Sequence, residues 1–317
     1  MMGRRDEQGD SQARAGGEIP GMPGTGAFAQ TGPDPSVIPV LIAVPHAGRA
    51  YPAELLRRMR DPEYACMRLE DRFVDLVAHA VARTTGAGLL VAHAPRALVD
   101  LNRAPDDVDW DMFSLPSGAA IEMPRTGGRA RTGLGLVPRR LPGSGENWKR
   151  RQDGAEVAQL VAMVHAPYHA CLGEALGEMR RRWGTALLVD LHSMPPLPAR
   201  PGQPRAQVVL GDRFGASCDG RLVAAACASL EAARRPLAHN RPYAGGYVLK
   251  RHGAPARGVH ALQVEVDRSL YLDSRLDQPG PGLPALVADL CAMVRGLSGE
   301  VAAIGANTRF RWAEAAE

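Results

Sequence analysis

Short runs that are apolar on both faces constrain this chain of 317 residues more than any other feature. VIPVLIAV (37–44) and TALLVDLH (185–192) lack the alternation of a half-exposed strand, so each must be covered from above and below. AQVVLGD (206–212) and GVHALQVEVD (258–267) read the same way. Helical patterns lie between them at about 53–60, 71–83, 152–182, 219–234 and 282–297. The second sets Phe73, Val74, Val77, Ala80 and Val81 on one face. Strands alternating with helices predict a single α/β domain, a mainly parallel or mixed sheet with helices on both faces. GLLVAHA (88–94) and ALVDLN (97–102) read as two further strands. Residues 1–36 are rich in Gly, Pro, Ser, Gln and charge and read as a disordered tail. The folded domain is then expected over 37–300, with 301–317 as a C-terminal tail. Residues 104–150 show no period, and a loop that long inside a compact domain is either functional or a sign of missed elements; Pro167 predicts a break or kink in the 152–182 helix.

Composition excludes several classes of function. No apolar run reaches the roughly 18 residues of a membrane-spanning helix. A net charge of +4 without a basic stripe argues against a nucleic-acid partner. Only Lys149 and Lys250 are lysines, which leaves Schiff-base chemistry almost without candidates. The 5 cysteines are scattered singly, with no CxxC pair, as expected of buried free thiols in a reducing compartment. The polar start MMGRRDEQGD is followed by no apolar stretch of the signal-peptide type, so the cytoplasm is the expected location.

In open α/β sheets, ligands bind beyond the carboxyl ends of the strands. The polar residues there are His46, Asp100 to Arg103, Asp190, His192, Asp212 and, inside its strand, Glu265. Strand period puts Asp190 and His192 on one face, an arrangement that orients a metal-ligating imidazole but also occurs as a plain buried hydrogen bond. Glu265 stands between Val264 and Val266, where a carboxylate must be paired, metal-bound or partly protonated. Desolvation there would raise its pKa towards that of a general base. Two imidazoles and one carboxylate around zinc make a hydrolytic site. Glu70 and Asp71 are the nearest carboxylates in chain order. No G-x-S-x-G elbow, Walker loop or G-x-G-x-x-G is present. His165 and His169 have helical metal spacing, but Pro167 between them spoils the turn.

VPHAGRAYP, EDRFVDLV, RALVDLNRAPDD, PYHACLGEAL, LLVDLHSMPP, LGDRFGASCD, NRPYAGGYV and GVHALQVEVDRSLYLD together resemble the N-formylglutamate amidohydrolase family. The resemblance covers about residues 38–295. It implies a zinc carboxypeptidase-like α/β hydrolase that cleaves an N-acyl amino acid such as N-formyl-L-glutamate, with Zn²⁺ as cofactor. It implies His46, Asp71 and His192 as metal ligands, with Glu70 the rival carboxylate, and Glu265 as the group that activates water. It further implies Arg103 and Asn102 as holders of an anionic substrate, with Asn240, Arg241, Gly245 and Gly246 around the pocket. Where formylglutamate-acting members tend to carry NGRFKGGY, this chain reads NRPYAGGY. The rival readings are the same chemistry on another N-acyl substrate, or a ligand-binding relative without turnover. A monomer or small homo-oligomer is expected.

Overall fold

The computed structural model describes residues 13–114, 128–141, 143, 145–199, 202 and 204–314, with side chains to 307. Eight strands form one sheet among the described residues: β1 (Arg14–Gly16), β2 (Phe28–Thr31), β3 (Val40–Val44), β4 (Gly88–Ala92), β5 (Ala186–Met194), β6 (Val208–Gly211), β7 (Leu237–His239) and β8 (Val259–Asp267). Their order is β1-β2-β4-β3-β5-β8-β6-β7. The central strands β4, β3, β5 and β8 run parallel, β8 and β6 antiparallel, and the first two strands antiparallel to their neighbours. The sheet is therefore mixed around a parallel centre.

Among the described residues, eight α-helices cover it: α1 (Ala53–Arg58), α2 (Pro62–Leu69), α3 (Val74–Thr85), α4 (Ala155–Leu160), α5 (Ala166–Trp183), α6 (Gly220–Ala232), α7 (Tyr247–His252) and α8 (Leu283–Glu314). The two-residue period of the strands divides the core in two. Val40, Ile42, Val44, Leu187, Val189, Leu191, Leu262 and Val264 pack with α3, α6 and α8. Leu41, Ala43, Ala186, Leu188 and Ala261 point the other way, towards α1, α2, α5 and α7. On that second face the two central strands change character towards their carboxyl ends. Leu188 is followed by Asp190 and His192, and Ala261 by Gln263 and Glu265. The apolar core becomes a polar floor within one strand length.

Three expectations are corrected. The tail expected over 1–36 is, from residue 13 onward, a hairpin that adds two strands to the sheet and buries Ile19, Ala27 and Phe28; residues 1–12 lie outside the described residues. Strands of three and four residues are too short to show a period, and their place is set by the free edge of β4. The tail expected over 301–317 is helix to Glu314, with Val301 buried and Ile304 packed against the core; residues 315–317 lie outside the described residues. ALVDLN forms turns, not a strand, because Asp100 Oδ1 accepts the Asn102 amide at 2.8 Å and the Asp100 amide bonds Leu136 O at 2.7 Å. The aperiodic 104–150 segment does contain elements, short 3₁₀ turns at Trp110–Met112 and Ala130–Thr132 and a small strand pair, Arg140–Leu141 with Gly145–Glu146; its residues 115–127, 142 and 144 lie outside the described residues. The break expected near Pro167 takes the form of a π-helical turn, Val161–His165, between α4 and α5. A proline without N–H in the first turn of α5 is accommodated there.

Phe28 is 3% exposed and meets Tyr168 edge-on, with ring centroids 5.6 Å apart. Phe28→Ala should cost about 3–5 kcal/mol in urea unfolding, whereas a side chain on a loose tail would leave the midpoint unchanged.

Candidate metal centre and active site

The turn after β3 aims His46. Gly48 permits it, since a Cβ there would run into the backbone carbonyls of His93 and Ala94. The Asp71 amide donates to His46 O at 2.9 Å, which ties the segment before α3 to that turn. Parallel pairing of β5 and β8 sets His192 opposite Glu265 and Asp190 opposite Gln263. Same-face side chains in this register place both pairs at one end of the sheet.

His46, Asp71 and His192 converge so that one donor atom from each lies within 4.8 Å of the others. Asp71 Oδ2 is 2.8 Å from His192 Nδ1 and 3.5 Å from His46 Nδ1. The outer ring nitrogens are also held: His46 Nε2 by Asp100 Oδ1 at 2.7 Å and His192 Nε2 by Asp190 Oδ2 at 3.1 Å. Carboxylates behind the imidazoles, with Nδ1 atoms turned inward, are the surroundings a metal-ligating histidine has. All five side chains are buried. Two nitrogens and one oxygen suit a divalent ion of the borderline-soft type, so the donor set fits a metal. Glu70 does not join it: its carboxylate accepts from Tyr51 Oη at 2.7 Å and from Arg72 Nη1 at 2.9 Å.

The electrostatics follow from burial and from these contacts. Burial works to raise the Asp71 pKa, but hydrogen bonds from His192 and His46 outweigh it and hold the group well below the usual carboxylate range. Burial likewise opposes the charged form of His192, yet Asp190 and Asp71 raise its pKa well above the usual imidazole value. That extra proton is what a cation would displace. Asp100 is also held low, because Arg96, His46 and Arg103 outweigh its burial. Glu265 differs. Burial pushes its carboxyl up to about 7; the charge of His192 opposes the shift and that of Asp71 adds to it. Its Oε1 accepts from Gln263 Nε2 at 2.9 Å.

These groups floor a cleft of about 780 Å³, also lined by Asn102, Arg103, Gly245 and Gly246. Gly246 must be glycine, because a Cβ there would collide with the Asn102 amide. Arg103 already donates Nε to Leu134 O at 2.8 Å and Nη1 to Asn102 O at 2.8 Å; among the described residues Nη2 has no hydrogen-bond partner. Two expected pocket residues lie outside the lining. Asn240 spends its amide on Asp212, donating to Oδ1 at 2.6 Å and accepting the Asp212 backbone N–H at 3.0 Å; Arg241 is exposed at the surface. Residues that sequence reasoning missed are Arg96, Arg129, Arg213, Tyr243, Lys250 and Arg268. Arg268 lies beside Asp71 Oδ1 at 3.6 Å and donates to Ser193 Oγ and Glu70 O. Only its place just past the end of β8 could have signalled it.

The model of the family described as N-formylglutamate amidohydrolase matches residues 38–272. The chain belongs to the N-formylglutamate amidohydrolase family. It is 30% identical over 249 residues to an N-formylglutamate deformylase of Pseudomonas aeruginosa, covering 75% of this chain and 84% of that protein. It is 31% identical over 247 residues to an N-formylglutamate deformylase of Pseudomonas putida, covering 74% and 82% respectively. A crystal structure of N-formylglutamate amidohydrolase from Ralstonia eutropha JMP134 matches with a TM-score of 0.77 and 30% identity, over 87% of this chain and 98% of that one. Membership in this family makes the chain a hydrolase of a non-peptide amide C–N bond. The hairpin at 13–36 lies before the matched region.

Asp71→Asn should abolish binding of a divalent metal ion at this cluster while Glu70→Gln retains it, read by metal content after gel filtration. Asp100→Asn should weaken metal affinity about 10- to 100-fold by loosening the His46 ring.

Proposed function

We propose that this chain is a zinc-dependent amidohydrolase that removes the acyl group from an N-acyl amino acid such as N-formyl-L-glutamate. One observation carries the reading: the buried His46, Asp71 and His192 cluster has Glu265 on the neighbouring strand, directly opposite His192. Zinc held by those three side chains would supply Lewis acidity, polarising a carbonyl and acidifying water. Glu265 takes the proton of the attacking water as its oxygen bonds to the acyl carbon. The C–N bond then breaks, and Glu265 returns the proton to the departing amine. A carboxyl held near 7 by burial can do both at neutral pH. Gln263 keeps it oriented through the hydrogen bond to Oε1.

The cleft wall favours an anionic substrate. Arg129, Arg213 and Lys250 line it, and none of them has an ion-pair partner among the described residues. Together with Arg103 Nη2 they offer cationic donors to substrate carboxylates. The second reading keeps the chemistry and changes the substrate. It is favoured by the position of Arg241, outside the cleft in the segment where the family motif differs.

Metal analysis followed by turnover on a panel of N-formyl and other N-acyl amino acids tests both readings. Formate release from N-formyl-L-glutamate supports the first, and preference for another acyl group supports the second. Binding without turnover in zinc-loaded protein sinks both. Glu265→Gln should keep its metal and lose about 10²- to 10⁴-fold in kcat. Glu265 must be deprotonated to act, so kcat/KM of the wild type should fall on the acid side, about tenfold per unit below the pKa of Glu265, which burial raises and a bound cation lowers.

A further inference from the structure

The hydrolytic site makes no use of His165 and His169, yet both imidazoles are buried against the loop that carries two of its residues. His165 Nε2 lies 2.9 Å from Arg103 O, and His169 Nε2 lies 3.0 Å from Leu101 O. A carbonyl oxygen only accepts, so each Nε2 must carry the hydrogen. That leaves His169 Nδ1 as a bare lone pair. His252 Nε2, 3.0 Å away, must then donate to it. The result is a directed chain from His252 through His169 to Leu101 O, with His165 acting in parallel on Arg103 O.

The rings are packed as well as bonded. Centroids of His165 and His169 are 4.4 Å apart, His252 stacks on His169 at 5.3 Å, and Tyr247 meets His169 edge-on at 5.1 Å. Burial pushes His169 down to about 2 and His252 down to about 4, so both are neutral near pH 7 and their tautomers are set by the carbonyls. The π-helical turn Val161–His165 immediately precedes α5 and re-aims His165 towards the loop. Between the imidazoles and the cleft stands Asn102. Its Oδ1 accepts the Val248 amide at 2.9 Å, its backbone O accepts Tyr247 N at 3.3 Å, and its Nδ2 lies 3.3 Å from His192 Nε2. The Leu101–Arg103 turn and the start of α7 thus form two cleft walls joined through one asparagine, and the imidazoles fix the turn from behind.

We propose that His165 and His169, backed by His252, are positioning residues that hold Asn102 and Arg103 in register with the substrate. This rests on the reading that the cleft binds an N-acyl amino acid through Arg103. Positioning of a group that contacts substrate in both the ground and transition states shows in KM more than in kcat. His169→Leu should therefore raise KM for N-formyl-L-glutamate about tenfold or more, with kcat within about threefold and zinc content unchanged. His169→Gln, whose side-chain amide can reach the same carbonyl, should recover most of the loss. An unchanged KM in His169→Leu, or Leu and Gln variants that behave alike, would overturn the proposal. Should His169→Leu fail to fold, His252→Ala reads the chain one step back: a KM raised several-fold at unchanged metal content supports it, and an unchanged KM overturns it. Wild-type turnover is the control that separates the two readings. Its absence on N-formyl-L-glutamate sinks that compound as the substrate, and the same variants are then ranked by calorimetric binding of N-formyl-L-glutamate, where equal affinities overturn the positioning role.

Discussion

One carboxylate oxygen, Oδ2 of Asp71, faces the Nδ1 atoms of both His46 and His192, and the rest of the site is arranged around keeping it there. Burying a carboxylate costs several kcal/mol unless charge and hydrogen bonds offset the loss of water. Around Asp71 the offset is shared among several groups. Asp100 and Asp190 press on the far sides of the two imidazoles, and Arg96 in turn neutralises Asp100 through Nε at 2.9 Å. Arg268 reaches Asp71 from beyond the end of β8. Among the described residues the buried Glu265 has no such cation in hydrogen-bonding contact, and burial raises its proton affinity. Two carboxylates a few residues from the same strand ends thus take opposite protonation behaviour from their neighbours alone.

Much of this was legible in the sequence because it depends on strand period. Runs apolar on both faces locate β3, β5 and β8, and a strand end that turns polar on one face locates His46, Asp190, His192 and Glu265. Period alone cannot choose between Glu70 and Asp71. They are adjacent, and the choice rests on the Asp71 amide bonding to His46 O while Tyr51 and Arg72 draw Glu70 away. Asn240 was misplaced for a related reason. A motif gives neighbours along the chain, but a left-handed backbone at Asn240, with φ 59°, turns its amide towards Asp212 instead of the cleft.

The cleft cations show the same limit. Arg129, Arg213 and Lys250 come from three separate segments, and nothing in their local sequence distinguishes them from other basic residues of the chain. Only the folding of loops over the strand ends brings them together. The hairpin at 13–36 is not legible in the sequence because β2 takes its alignment from β4, across more than fifty residues of intervening chain, and β1 takes its own from β2. Its composition is that of a tail, and its hydrogen bonds are those of a sheet.

That hairpin has a consequence for how the molecule meets copies of itself. The sheet has nine-residue strands at its centre and tapers to three residues at each rim, β1 on one side and β7 on the other. Without the hairpin, one rim would be β4, five residues all buried in the fold, with its outer row of N–H and C=O groups uncovered. A long, flat, apolar rim is a template on which another chain can continue the ladder. Two short added strands replace it with a border too brief to recruit a neighbour. The segment that looked least structured is the one that closes the sheet to growth.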